Sequence, residues 1–199
     1  MNHKISNFIA ETLIELIDSK VSVELVQSVY LPDRNSGEFN DFPREFKVAM
    51  KRPLKYWFPI YIHEFCHFRQ WKEKSVLWDK YDDTFFEWVD DRENFQLSEV
   101  KKSLKSIISL ELDCEKRAVQ MIKDRELPLD TDDYIKGANA YLLSYFISYE
   151  QMGWYASAPY EDKKVLDVVP DKFLKVKDYM KYNSTYHEKI KKHYTNKKI

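Results

Sequence analysis

WFPIYIHEFCHFRQW, residues 57–71, sets two histidines four positions apart with a glutamate directly after the first: His63, Glu64 and His67. On an α-helix, residues i and i+4 share one face a turn apart, so both imidazoles can aim a ring nitrogen at one point. Glu64 is rotated by one position, which puts its carboxylate beside that point and not on it. Neutral imidazoles suit zinc, which takes about four tetrahedral ligands at roughly 2.0–2.1 Å. A carboxylate beside the ion stands where a base must be to take a proton from zinc-bound water. The competing reading is a pair of histidines packed in an aromatic helix and bonded to neighbouring carbonyls. The context favours the metal. Ile60, Phe68 and Trp71 give the helix an apolar face, and a strand-like pattern comes before it.

Zinc needs a third protein ligand, and a second helix offers one. In KSLKSIISLELDCEKRAVQMI (102–122) an apolar stripe runs through Leu104, Ile107, Ile108, Cys114, Ala118, Met121 and Ile122. Glu111 falls inside that stripe, and Glu115 lies one turn later on the same side. Asp113 is about 200° round the helix from Glu111 and is expected to face solvent. A carboxylate on a buried face is costly unless paired or metal-bound. The plain alternative is that both carboxylates reach the rim or pair with lysine or arginine. The spacing instead assigns Glu111 as zinc ligand and Glu115 as the acceptor of the free ring N–H of a ligand histidine, His63. Exchanged roles for Glu111 and Glu115 are the main competitor. The small residues Cys114 and Ala118 would let this helix approach the histidine helix closely.

Around these two helices the patterning predicts an α+β chain, mostly helical with a small antiparallel or mixed sheet. Ile5, Phe8, Ile9, Leu13, Leu16 and Ile17 mark an amphipathic helix over 4–19, read as such and not as a secretion signal. Residues 21–31 read as a strand, 32–43 as a loop, and 45–52 as a half-buried strand that would offer an edge to an extended peptide. Pro59 is expected in the first turn of the histidine helix. Short helix and loops follow over 75–97, then a long helix over 98–124. Thr131 is expected to cap a further helix that stops at Gly153. The domain reading is 1–171 as one unit and 172–199 as a basic helix and tail, carrying nine lysines against Asp178 and Glu188.

Composition narrows the function classes. Three glycines among 199 residues leave little for phosphate-cradling loops, and a net charge of −1 argues against a nucleic-acid coat. The basic tail leaves a polyanion contact as a weak alternative to a solvated face. No apolar run reaches the roughly 20 residues of a membrane span. Two cysteines far apart fit a reducing, cytoplasmic setting better than a disulfide framework.

HEFCH at 63–67 followed by ELDCE at 111–115 resembles the gluzincin metallopeptidases. The layout is similar to the minimal ImmA/IrrE-type phage and bacterial members, with Cys114 and Ala118 at the small positions after the glutamate. The likeness spans roughly residues 45–122. It departs from the family where Glu115 stands in place of the frequent aspartate and Cys66 in place of a small residue. No helix-turn-helix domain accompanies it, so no repressor-cleaving role follows. The resemblance implies a zincin-like domain that hydrolyses peptide bonds in a peptide or protein substrate, with Zn2+ held by His63, His67 and Glu111 and with Glu64 as general base. An oxyanion donor is also required. Tyr134, Tyr141, Tyr145 and His187 are the candidates, although tyrosines at apolar-stripe spacing are more often core. Two other readings are a zincin-fold binding module without turnover and a deformylase-like amidase with Cys114 as third ligand.

Overall fold

The strand and helix patterns resolve into an α+β chain, 62% helical with one three-stranded mixed sheet. The computed structural model describes residues 3–32, 35–91 and 95–194. These divide between two units, one within Met1–Trp78 and Cys114–Thr131, the other within Asp79–Asp113 and Asp132–Ile199.

In the first unit, α1 (His3–Asp18) buries Ile5, Phe8 and Leu16. Strands β1 (Ser22–Val26), β2 (Gly37–Asp41) and β3 (Arg44–Ala49) form the sheet in the order β1-β3-β2, and α2 (Leu54–Lys72) carries the histidines. Two strand expectations change. The strand expected to reach residue 31 stops at Val26, because its parallel partner β3 runs out at Ala49, the residue level with Val26. The segment read as a loop contains β2, which pairs antiparallel with β3 from Gly37 opposite Val48 to Asp41 opposite Arg44. Its sequence GEFND holds one apolar residue, the buried Phe39, too sparse an alternation to announce a strand. As the middle strand, β3 has no edge for a peptide; the sheet edges are β1 and β2.

Helix α2 begins after Pro53, so Pro59 sits inside it and not in its first turn. There it removes the bond its N–H would have made to Lys55. Packing compensates. Phe58 and Tyr61 both meet Phe8 of α1 edge-on, and Phe46 of β3 lies against Tyr61 with ring centroids 5.1 Å apart. The Tyr61 hydroxyl is paired with Thr12 at 2.7 Å. A helix apolar on nearly every side is a buried helix. Truncating a ring such as Phe46, fully buried here, costs about 3–5 kcal/mol.

The other elements are α3 (Val76–Asp79), α4 (Thr84–Asp91), α5 (Leu97–Asp124), α6 (Thr131–Gln151), α7 (Lys163–Leu166), α8 (Val176–Tyr179) and α9 (Ser184–Ile190). The core of the second unit gathers Phe85, Leu104, Ile107, Leu143, Ile147 and Tyr179. Helix α6 starts at Thr131 itself and ends one residue earlier than its glycine suggests. Met152 takes the left-handed position (φ 49°), and the N–H of Gly153 closes back on Ser148 O at 3.2 Å. The lysine-rich segment from Lys172 lends Tyr179, Tyr186, Ile190 and Tyr194 to the core; residues 195–199 of that tail lie outside the described residues. Among the described residues, no helix is long and apolar enough to cross a membrane.

His187 is fully buried in the second unit. Its Nδ1 accepts the N–H of Asn183, the N-cap of α9, and its ring meets Phe146, Tyr182 and Tyr186. Its Nε2 has no hydrogen-bond partner among the described residues. Burial, with the nearby Lys191 charge, pushes its pKa down to about 4. The folded form therefore favours neutral imidazole. That contribution is whole above the unfolded value near 6.5 and disappears as pH falls from there to about 4, a loss of about 3 kcal/mol. Urea unfolding at pH 7.5 and at pH 4 should show this loss in the wild type. It should be diminished in His187→Asn, whose amide oxygen can accept from Asn183 without titrating.

Candidate metal centre

The largely buried, aromatic α2 carries His63, His67 and Gln70 on one face, and each meets a defined partner. His63 and His67 lie one turn apart with rings at 84° to each other and centroids 4.6 Å apart. Their Nε2 atoms approach to 3.1 Å. The outer nitrogens are engaged elsewhere: His63 Nδ1 with Glu115 Oε1 at 3.1 Å, and His67 Nδ1 with Gln70 Oε1 at 2.9 Å. An ionised carboxylate and an amide oxygen only accept, so both Nδ1 atoms carry the proton. That tautomer is assigned from the hydrogen-bond network. It leaves a lone pair on each Nε2, and the two face each other.

Two facing lone pairs at this distance repel unless a cation lies between them. A shared proton would make one ring an imidazolium. A metal ion takes both lone pairs with the rings neutral. Two nitrogens at zinc distance on a tetrahedron stand about 3.3 Å apart, close to the spacing found. The two imidazoles therefore fit a metal ion at this point. Side chains of both histidines are largely buried, 14% exposed for His63 and 7% for the whole of His67.

Cys114 belongs to the same cluster: one ligand atom each from His63, His67 and Cys114 lie within 4.8 Å of one another. Its thiol donates to the carbonyl of His63 at 3.2 Å and sits 3.6 Å from His63 Nδ1. This is the edge of the ring occupied by Glu115, away from the Nε2 pair. The thiol thus lines the histidine cluster and, as a small side chain, lets α5 close on α2.

Glu64 is buried to 8% exposure beside β2, where Gly37 passes directly over it. At the far end of β2, Asp41 accepts the indole N–H of Trp78 at 3.1 Å, and the Trp78 ring lies 6.0 Å from that of His67. Gln70, Gly37 and Trp78 were missed in the sequence. Gln70 was detectable, since it follows His67 by three and so shares its helix face. Gly37 and Trp78 had no such signal, because they come close through the unforeseen strand β2.

Glu111, Tyr134, Tyr141, Tyr145 and His187 belong to the second unit. Glu111 is 8% exposed on α5. The Tyr141 and Tyr145 hydroxyls are bonded to each other, and burial followed by the charge of Glu111 raises both well above the ordinary phenol value. Both phenols therefore remain neutral and able to donate. Tyr81 is raised likewise, by burial and its bond to Asp83. Tyr134 is half-buried in the first turns of α6. His187, enclosed in the core, has the surroundings of a structural residue. Asp113, expected in solvent, is half-buried.

Scans against protein-family models, curated proteins and solved structures return no match to this chain.

The outer partners carry a direct expectation. Glu115→Gln and Gln70→Leu should each weaken zinc binding by about 10–100-fold, because they free the tautomer and orientation of one ligand ring. Competition against a chromophoric chelator measures this, and an unchanged affinity in both would mean that the two imidazoles do not bind the ion through Nε2.

Proposed function

We propose that the protein is a zinc-dependent peptidase of gluzincin type, acting on a peptide or protein substrate in the cytoplasm. The observation that carries this reading is the approach of His63 and His67 Nε2 to 3.1 Å with both Nδ1 atoms held from outside. His63 and His67 would hold the ion. Glu111 is the third ligand on the ground of its place in the α5 sequence, one turn before Glu115, and Cys114 is the alternative supported by its place in the cluster. When bound, zinc supplies a Lewis acid that polarises a carbonyl and lowers the pKa of a water. Glu64 then accepts the proton of the attacking water and returns it to the leaving amine. Glu115 and Gln70 keep the imidazoles oriented, and a neutral phenol, Tyr141 or Tyr145, is chemically suited to donate to the developing oxyanion. An extended substrate would pair along an edge strand, which in this sheet means β2 and not β3. The two reduced, buried cysteines suit a cytoplasmic setting.

Zinc content of the purified wild type and of His63→Ala, His67→Ala, Glu111→Ala and Cys114→Ser tests the ligand set. The two histidine variants and Glu111→Ala should lose the ion while Cys114→Ser keeps it. Loss in Cys114→Ser with retention in Glu111→Ala would move the third ligand to the thiol. Glu64→Gln should keep zinc and lose peptide hydrolysis by about 10²–10⁴-fold, measured on a degenerate peptide library. A Glu64→Gln protein with undiminished biological effect would favour the binding-module reading.

A further inference from the structure

We propose that Gly37 is a positioning residue: its missing side chain creates the space that fixes the Glu64 carboxylate, an inference that rests on Glu64 acting as the base. A Cβ built at Gly37 would stand 2.6 Å from Ile60 Cγ2, 2.9 Å from Glu64 Cγ and 3.1 Å from Glu64 Oε1. Real Cβ atoms essentially never approach another heavy atom as closely as the first two distances. The glycine is not there for its backbone freedom, because no described glycine has positive φ. It is there for proximity.

The two backbones resist moving, so the side chains of Ile60 and Glu64 must both give way to a new Cβ. The backbone of β2 is held against the central strand, with Gly37 opposite Val48 and the Ser36 carbonyl accepting the N–H of Ala49 at 2.9 Å. The backbone of α2 at this turn is anchored by Tyr61 and Ile62, both fully buried. Ile60 is β-branched, with one strongly preferred χ1 in a helix. The Glu64 stem, unbranched at its Cβ, has more rotamers to move into than Ile60. With glycine at 37, the carboxylate stem lies flush against the strand. With any larger residue, it must leave that position. A displacement on the order of 1 Å at a catalytic group can cost about 100-fold in rate.

The experiment compares full-length wild type, Gly37→Ala and Gly37→Ala/Ile60→Ala, the last removing the Ile60 methyl that blocks the new Cβ. Crystal structures should show the Glu64 carboxylate displaced over unmoved β2 and α2 backbones in Gly37→Ala, and still displaced in the double variant, where the new Cβ keeps its 2.9 Å conflict with Glu64 Cγ. On the peptide library, the zinc-loaded Gly37→Ala protein should lose about 100-fold in kcat with little change in KM and full zinc content. The double variant should keep most of the loss, which separates the Glu64 conflict from the one with Ile60. A carboxylate that stays in place, or a strand that shifts to make room, overturns the proposal, as does an unchanged kcat. If the wild type hydrolyses no peptide while the carboxylate still moves, the positioning stands and the peptidase reading is what fails.

Discussion

A helix buried on nearly every face has to satisfy each of its polar atoms inside the protein, and α2 is such a helix. Leaving one buried donor or acceptor unmatched costs about 1–3 kcal/mol. His63, His67 and Gln70 therefore persist among Phe58, Tyr61, Phe65 and Phe68 only because their partners are in place. Glu115 reaches in from α5 to one imidazole, and Gln70 turns back along α2 to the other. The residual problem, two ring nitrogens with facing lone pairs, is one that a cation resolves. The zinc reading thus grows out of the packing of α2 as much as out of its motif.

How α5 gets close enough is a matter of side-chain size. Cys114 puts a thiol against the His63 carbonyl, and fully buried Ala118 follows one turn later. Arg117 and Glu73 close the surface above them with a 2.6 Å contact, and Glu73 also pairs with Arg69. Exposed pairs of that kind contribute little energy. The depth of the approach is decided by the small residues below.

Much of this was legible in the sequence, for reasons that can be named. Helix α5 carried two carboxylates in an apolar stripe, and a 3.6-residue period makes such an intrusion visible. The same period tied His63 to His67 and put Glu115 on the buried face of α5, where it meets His63. What escaped depended on non-local pairing. Strand β2 holds a single buried apolar residue, so only its partner β3 makes it a strand, and with it went the approach of Gly37 to Glu64 and of Trp78 to His67. The first strand ended early for the same kind of reason, the length of its neighbour. Pro59 was misplaced because a buried, well-packed helix tolerates a missing hydrogen bond that an isolated one would not.

The indole of Trp78, tethered to Asp41 and lying 6.0 Å from the His67 ring, gives the centre a built-in optical label. Transfer of excitation to an acceptor falls steeply with distance, so an open-shell ion such as cobalt or copper held at the histidines would quench this indole strongly. A closed-shell ion would leave its emission bright. Binding of an open-shell ion can then be followed in the intact protein as a loss of tryptophan emission, without a dye and without a substrate.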